Sequence, residues 1–471
     1  MNFVSAFLSP EKLIPERNRL GALPSMRSAC STVFKMAWPS VIESVMLSVC
    51  SMMDTMMVGV VGTNAISAIG TSSSPRQLIL SFYAALNIAV MAITARRIGE
   101  GNNDGANNTM RQSLVFSLII SVLIAIPSYI FAPFLIRMCN APDAILGDAV
   151  VYLRIWLMGV PVWAISGVIN SANRAAGRTK IVMVTNIVSN VVNVIFNYLL
   201  IGGNFGFPAL GVRGAAIATF ICFAVQSTIA VFSVLKRGRV PYLDLKSKFT
   251  FDREIFRSVK IIAPSYFAEQ LAFFLSSLFC VRIINSLGND DAYAAYMITC
   301  TLYSLLVGVA SGFSGAASAL VGQNLGRKRS DVAELDIKIS IGMALAFSLI
   351  LILVLGVFGD SIVSLYVPDK TAGAQTFFQA CIMTKILACF SFISIALVII
   401  IGGLRGAGDV KFAMFVTVVC MSVVRPLMFY ILCHTPLGVI GSWIGVVIDE
   451  SIRTVLFYIR FRRGKWKSIR L

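Results

Sequence analysis

Long apolar stretches recur along this chain, separated by short polar segments. Each is about 20 residues or longer, the length that an α-helix needs to cross about 30 Å of hydrocarbon. A segment inside a bilayer must satisfy its own backbone hydrogen bonds, so we predict that all of these stretches are helical. The predicted spans, numbered 1 to 12 in chain order, cover about 33–58, 66–95, 112–135, 150–172, 180–202, 212–235, 257–285, 292–321, 337–358, 374–402, 411–433 and 438–460. The predicted fold class is an all-α polytopic membrane protein.

The second half of the chain repeats the first. Residues 99–106 resemble residues 326–333 at a shift of 227, and a shift of 226 carries Glu43 onto Glu269. Six spans per repeat is an even number, so both repeats enter the bilayer in the same orientation, related by an axis along the membrane normal. We therefore predict two pseudo-symmetric six-helix bundles around a central cavity, an arrangement typical of transporters.

Charged residues are few but unevenly placed. The chain has 40 Lys and Arg against 22 Asp and Glu, and 57% of it is apolar. The basic residues cluster in the tails and in every second loop, which is the positive-inside pattern of a plasma (inner) membrane protein with both termini cytoplasmic. This placement argues against nucleic-acid binding. The predicted domains are a cytoplasmic N-terminal tail at 1–32, an N-terminal lobe at 33–235, a basic cytoplasmic linker at 236–256, a C-terminal lobe at 257–460 and a basic cytoplasmic tail at 461–471.

The residue types for catalysis are scarce. His434 is the only histidine, and the ten cysteines are scattered without a C-x-x-C pair. The only Asp-Asp pair, Asp290–Asp291, falls in a short outer loop, which argues against a metal-dependent prenyl transferase. No G-x-x-x-x-G-K-[ST] loop is present, so direct use of ATP is not expected. We predict that the protein is not an enzyme and has no cofactor beyond a coupling ion, H+ or Na+.

Several segments resemble a known family. Leu404–Asp409 resembles the L-R-G-x-G-D element of the multidrug and toxic compound extrusion (MATE) transporters of the MOP flippase superfamily. Pro39 followed by Asp54–Gly59 is similar to that family's P-x(14)-D-T-x-M-x-G pattern in span 1. Residues 193–198 and 211–219 resemble its spans 5 and 6.

The resemblance covers about residues 30–465 and implies a function. It implies a monomeric secondary active transporter that exports bulky, often cationic, amphiphilic compounds in exchange for H+ or Na+ by alternating access. The alternative is a flippase or exporter of lipid-linked sugars or polysaccharide from the same superfamily. Such a flippase is expected to have an arginine-rich cavity and extra spans, whereas twelve spans are predicted here. The expected partners are small amphiphilic substrates and the lipid bilayer.

Asp54 is the first candidate for ion coupling. A charged group at the bilayer centre costs about 2.5–3.5 kcal/mol on insertion scales, so such groups usually face a cavity or a partner. Asp54 lies about 22 Å along the helix from Pro39, towards its outer half. The alternative is a carboxylate near the outer interface paired with an arginine.

Span 5 supplies polar partners on one helical face, because steps of four, three and four residues keep side chains together. This face carries Asn186, Asn190, Asn193 and Asn197. The family's polar site favours Asn193 and Asn197, with Thr219 of span 6, and a Na+ ion would be held by Asp54, Asn193 and Asn197. The alternative is hydrogen bonding between helices, at about 0.6 kcal/mol per contact. Some relatives carry Asp at the position of Asn197, so a site here has one carboxylate fewer.

The C-terminal lobe departs from the family pattern. Relatives that bind Na+ in that lobe use a span 7 glutamate and a span 10 aspartate, whose positions here fall at about 272–274 and at Ser394. We therefore expect coupling in the N-terminal lobe. Glu269 and its repeat-mate Glu43 either frame the inner mouth of the cavity or cap packed helices.

The sequence does not decide the roles of the other charged residues in the spans. Glu450 and Arg453 of span 12 are three residues apart and favour a structural ion pair, with Asp449 and Arg425 nearby. Lys385 of span 10 either lines the cavity or extends towards the interface.

Overall fold

The computed structural model describes residues 9–139, 142–236, 238, 240–243, 251–288, 290–367 and 373–469. Much of the predicted linker at 236–256 lies outside these residues. All regular structure within them is helical. The helices are Pro10–Leu13, Met26–Gly59, Thr63–Thr71, Ser73–Gly99, Asn103–Ile130, Ala132–Met138, Asp143–Ala175, Thr179–Gly202, Val212–Val234, Arg253–Asn285, Asp290–Gly326, Ser330–Tyr366, Ala374–Gly406, Val410–Val419, Arg425–Cys433 and Ile440–Arg463, with 3-10 turns at Glu16–Asn18, Asn204–Gly206 and Lys465–Ser468.

The described residues contain eleven helical segments that are long and apolar enough to cross a membrane. They correspond to predicted spans 1 to 11. Span 12 is the helix Ile440–Arg463, about 36 Å long at 1.5 Å per residue, with a charged cluster of Asp449, Glu450 and Arg453 in its middle. The all-α polytopic fold is confirmed.

Three of the described spans deviate from a regular helix. In span 2, the helix Thr63–Thr71 ends at Ser72, where a second helix begins. In span 3, the helix Asn103–Ile130 ends before Phe131, and a short helix, Ala132–Met138, follows. In span 11, one π-helical turn at Cys420–Val424 precedes Pro426. Proline lacks the N–H that a regular helix uses, and a local π turn is a common adjustment.

The internal repeat is visible in four turns, those after spans 2, 4, 8 and 10. In each turn one residue has a left-handed conformation and its N–H bonds to the carbonyl three residues earlier. The next N–H bonds to the carbonyl five residues earlier, which completes a Schellman motif. The left-handed residues are Gly101 (φ 76°), Gly177 (φ 76°), Lys328 (φ 60°) and Gly408 (φ 89°). Three of the four are glycine, which has no Cβ to oppose this conformation.

The chain divides into two compact units. The N unit is Ile42–Ala263, and the C unit is Met1–Val41 together with Pro264–Leu471. The divisions fall inside the helices of spans 1 and 7, close to Pro39 and at Pro264, rather than in the linker. The first helix of each repeat therefore contributes its N-terminal part to the unit of the other repeat. The lobe limits derived from the sequence remain a prediction.

The N-terminal part of span 1 is packed into the core of the C unit. Val33, Ala37 and Val41 are buried in a cluster with Phe313 of span 8. A Cβ at Gly312 would lie 2.9 Å from the backbone nitrogen of Val41. A side chain at position 312 would therefore push the two helices apart.

Candidate ion and substrate site in the N unit

Asp54 is the point where spans 1, 5 and 6 meet. Its Oδ1 accepts a 2.7 Å hydrogen bond from Nδ2 of Asn197. When the amide of Asn193 is oriented so that its nitrogen faces the carboxylate, it donates to Oδ1 at 3.1 Å. The oxygen of that amide then accepts from the backbone N–H of Thr219 at 3.3 Å, so both ends of the amide are satisfied. The carboxylate is thus held by two amides on consecutive turns of one helix.

One polar atom beside the carboxylate is left over. Oδ1 of Asn197 is buried and has no hydrogen-bond partner among the described residues. The hydroxyl of Thr219 is used by its own helix, where it donates to the carbonyl of Ala215 at 2.9 Å. The buried amide oxygen therefore needs a proton donor, a water or a cation to complete the site.

Asp54 opens on a cavity of about 320 Å³ inside the N unit. This volume lies at the lower end of the range of small-molecule sites, about 300–1,000 Å³. Of the predicted site residues, Asp54, Asn197 and Thr219 line it. The complete lining is Ser51, Asp54, Val58, Ile66, Ile69, Gly70, Ser73, Arg76, Tyr152, Asn197, Ala215 and Thr219. The cavity is therefore half polar, with one acid and one base.

The asparagine ladder of span 5 divides into two parts. Asn193 and Asn197 face Asp54, whereas Nδ2 of Asn190 donates to the carbonyl of Asn186 in its own helix at 2.7 Å. Asn186 donates to Oε1 of Glu43 at 2.5 Å. The structure thus brings only the outer two members of the ladder to Asp54, and of these only Asn197 lines the cavity.

Glu43 and Glu269 each pair with an arginine of their own unit. Oε1 of Glu43 accepts a 2.6 Å bond from Nη2 of Arg174, and Glu269 accepts a bond from Nη2 of Arg405. Both arginines precede the left-handed glycine of a Schellman turn, after spans 4 and 10. In each pair one glutamate oxygen and the arginine Nε have no partner among the described residues. Neither glutamate lines the Asp54 cavity.

Span 12 carries a closed ionic cluster. Oδ2 of Asp449 accepts from Arg425 (Nε at 3.0 Å, Nη2 at 2.9 Å) and from Nη2 of Arg453 at 2.8 Å. The predicted pair of Glu450 and Arg453 is looser, at 3.9 Å. Glu450 instead accepts from the hydroxyl groups of Tyr303, at 2.5 Å, and Ser394.

Span 10 carries two residues that the sequence analysis singled out, Ser394 and Lys385. The hydroxyl of Ser394, the residue at which the family pattern led us to expect a span 10 aspartate, donates to Glu450 of span 12. The helix of span 12 therefore brings a carboxylate to this position. Lys385 pairs with Asp360 at 3.1 Å, and both side chains are about half exposed.

Among the cavity residues that sequence reasoning missed are its one basic side chain, Arg76, and its one aromatic side chain, Tyr152. Arg76 lies within predicted span 2, so the rule that singles out ionisable residues inside spans would have found it. Nothing in the pattern of span 4 distinguishes Tyr152 from other aromatic residues. Its place in the cavity follows only from the packing of spans 2 and 4.

Comparison with known proteins agrees with this architecture. The MatE family model matches twice, at residues 39–199 and 265–431, once in each repeat. The "Uncharacterized transporter YisQ" of Bacillus subtilis is 27% identical over 440 residues, 92% of this chain and 94% of that protein. The "Probable multidrug resistance protein NorM" of Thermotoga maritima is 26% identical over 454 residues, 93% of each.

The fold is shared with solved transporters. A structure described as the "Outward-facing conformation of a multidrug resistance MATE family transporter of the MOP superfamily" superimposes with a TM-score of 0.87 at 21% sequence identity. The match covers 94% of this chain and 97% of that one.

Proposed function

Because the chain belongs to the MatE family, we propose that it is a secondary active efflux transporter that exchanges protons for bulky amphiphilic compounds. It acts as a monomer in the plasma (inner) membrane with both termini cytoplasmic, and it has no enzymatic activity and no cofactor. The names of relatives, such as the probable multidrug resistance protein NorM, support drugs or toxins as its substrates.

The observation that carries this proposal is the single carboxylate of the cavity. Among the residues that the structure describes, Asp54 is the only acid that lines the cavity, and it shares that space with any substrate. A proton on Asp54 removes the charge that binds a cationic group, so proton and substrate compete. Competition lets the protonated and substrate-loaded states favour different conformations, as alternating access requires.

The surroundings of Asp54 favour a proton over Na+. A sodium ion bound by Asp54, Asn193 and Asn197 would need oxygen atoms from both amides. Asn197 instead directs its nitrogen at the carboxylate. In the orientation in which the nitrogen of Asn193 also faces Asp54, the oxygen of Asn193 accepts from the N–H of Thr219. One buried oxygen, Oδ1 of Asn197, remains for a cation. Two amide donors and one free amide oxygen are suitable surroundings for a carboxylate that takes up and releases a proton.

The test is transport by purified protein in proteoliposomes under an imposed pH gradient or an imposed Na+ gradient. We expect the pH gradient alone to drive accumulation of a fluorescent amphiphile such as rhodamine 123. Asp54→Asn should abolish the response to the gradient, because the amide cannot exchange a proton. A Na+-driven response, or an intact pH response in Asp54→Asn, would contradict the proposal.

Asp360→Asn is a matched control. It removes a carboxylate that pairs with Lys385 at a half-exposed position of the C unit, and neither residue lines the cavity. We expect its transport to equal that of the wild type. Thermal unfolding of both variants in detergent shows whether a loss of transport reflects a loss of fold.

A further inference from the structure

One cation in the N unit cavity has no acidic partner. The side chain of Arg76 lines the same cavity as Asp54. Within the part of the chain that the structure describes, Arg76 forms no ion pair, and its hydrogen bonds go to two carbonyls and one phenol. A guanidinium remains protonated at any physiological pH. A permanent positive charge therefore faces the space in which a substrate would lie.

This guanidinium is held in a defined position. Its Nε donates to the carbonyl of Ser72 at 3.3 Å, Nη1 to the hydroxyl of Tyr152 at 3.1 Å and Nη2 to the carbonyl of Ile69 at 3.5 Å. Its Cζ lies 5.0 Å from the ring of Tyr152 and 5.9 Å from that of Trp156. An arginine has five N–H donors, and these contacts use three. The remaining donors are available in a fixed orientation.

The cavity therefore presents two fixed groups of opposite charge. Asp54 is held by amides on one wall, and Arg76 is held by an aromatic pair on another. A ligand with a single positive group would satisfy Asp54 and leave the guanidinium unmatched in a confined space. A ligand with a carboxylate as well would form charge-assisted hydrogen bonds to Arg76, the stronger class of hydrogen bond.

We propose that Arg76 is the anion anchor of the substrate site and that the preferred substrates are zwitterionic amphiphiles. Their carboxylate binds Arg76, and their cationic group lies at Asp54. This inference deepens the proposed function and rests on it, because it assumes that the Asp54 cavity is the substrate site. It narrows the substrate class from amphiphiles in general to those with both charges.

A purely structural role for Arg76 makes a different prediction. Its contacts with the carbonyls of Ile69 and Ser72 cap the end of the helix Thr63–Thr71, where a positive charge is favourable. Loss of a cap would weaken the fold and the binding of every ligand alike. A selective effect on ligands with a carboxylate would follow only from direct contact.

Two fluorescent probes separate these roles. Rhodamine 110 has a free carboxylate, and rhodamine 123 is its methyl ester with the same cationic ring system. Binding to the purified protein in detergent is measured by fluorescence polarisation. We expect the wild type to bind the acid more tightly than the ester. Arg76→Gln should weaken binding of the acid about tenfold, the loss of one charge-assisted hydrogen bond, and change binding of the ester by less than about twofold.

Arg154→Gln is the matched control. Arg154 is in the same unit, donates to the carbonyl of Tyr129 and lies 5.2 Å from that ring, but it does not line the cavity. Both probes should bind this variant as they bind the wild type. Arg76→Lys keeps the charge but not the planar fork, so it should restore part of the affinity for the acid.

The outcomes decide the proposal in either direction. Equal weakening of both probes by Arg76→Gln would overturn it. If Arg76→Gln does not fold, the relative affinity of the wild-type protein for the two probes is the test. Binding of the ester at least as tight as that of the acid would then overturn the proposal. Binding is measured without any ion gradient, so a failure of proton coupling at Asp54 would leave this result unaffected and distinguishable.

Discussion

The N unit has a cavity at positions where the C unit has packed side chains, although the two units contain copies of the same repeat. A shift of 226 residues carries Glu43 onto Glu269, and a shift of 227 carries Gly99 onto Gly326 and Gly214 onto Gly441. The same local shifts pair three cavity residues with residues of the C unit, namely Asp54 with Cys280, Arg76 with Tyr303 and Thr219 with Val446. Cys280 and Val446 are buried in one apolar cluster, and Tyr303 packs against that cluster.

One large side chain of the C unit has only a small counterpart in the N unit. The shift of 227 pairs Ala216 in the N unit with Trp443 in the C unit. Trp443 is 2% exposed, belongs to the same apolar cluster and meets Tyr303 edge to face at 5.5 Å. Ala216 is itself buried and does not line the N unit cavity, whereas Trp443 adds a large side chain to the packed cluster of the C unit. The charges also differ, because Asp449 of the C unit pairs with Arg425 and Arg453, whereas Arg76 of the N unit cavity forms no ion pair with the described residues.

The closed charge network of the C unit should be the most sensitive point of the fold. Asp449 is fully buried and binds two arginines, so Asp449→Ala would leave two buried cations without their acid. Removing one partner of a buried pair costs about 3–5 kcal/mol, and we expect the upper end of that range. The measurement is thermal unfolding of the purified protein in detergent. Asp360→Ala, which breaks a half-exposed pair, should change stability by less than about 1 kcal/mol. If Asp449→Ala unfolds at the same temperature as the wild type, water must reach this cluster.

The packed core of the C unit should be convertible into a cavity. Trp443→Ala removes the side chain that has no counterpart in the N unit, at a cost of about 3–5 kcal/mol for a buried aromatic residue. We also expect Cys280, which is 1% exposed in the same cluster, to become reactive towards a maleimide. Peptide mass spectrometry of the labelled protein checks this. Phe232→Ala, at a side chain that is 69% exposed, is the control. Unchanged labelling of Cys280 would mean that the core collapses around the gap.

The matched glutamate–arginine pairs allow a direct comparison of the two units. Glu269→Gln should destabilise the protein by about 3 kcal/mol and Glu43→Gln by about 1 kcal/mol, because Arg405 is 19% exposed and Arg174 is 34% exposed. The apparent unfolding temperatures of the two variants test this order. Replacing both partners, as in Glu269→Met with Arg405→Met, should recover stability because no buried charge is left unpaired. Equal losses in the two units, or a loss of ion coupling in Glu43→Gln at unchanged stability, would contradict the structural role that these pairs suggest.

Much of this architecture could be predicted from the sequence because membrane helices follow strong local rules. Length and hydropathy placed the spans, and the repeated segments indicated the duplication that the four Schellman turns display. The step of four residues between Asn193 and Asn197 placed both on one face, and the match of Asp54 to the family pattern indicated which carboxylate they would meet.

The remaining contacts depend on which helices touch, and the sequence carries little of that information. Glu43 and Arg174 are 131 residues apart, so their pairing is not visible in either helix alone. Asn190 shares a face with Asn193, yet a bond to its own backbone takes it out of the site. The pairing of Ser394 with Glu450 likewise required the packing of spans 10 and 12.

The smallest expected effect concerns the turns that the repeat shares. Gly101 and Lys328 are repeat-mates with positive φ, and a left-handed conformation costs a residue with a Cβ about 1 kcal/mol relative to glycine. Gly101→Ala should therefore destabilise the protein slightly and Lys328→Gly should stabilise it by a similar amount. A Cβ at position 101 would meet nothing within 4 Å, so only the backbone conformation opposes the substitution. Thermal unfolding of both single variants checks the signs. Gly147→Ala is the control, because this helical position is also open but its φ is ordinary. If Gly101→Ala and Gly147→Ala shift stability equally, the left-handed residue of the turn does not limit which side chains this position accepts.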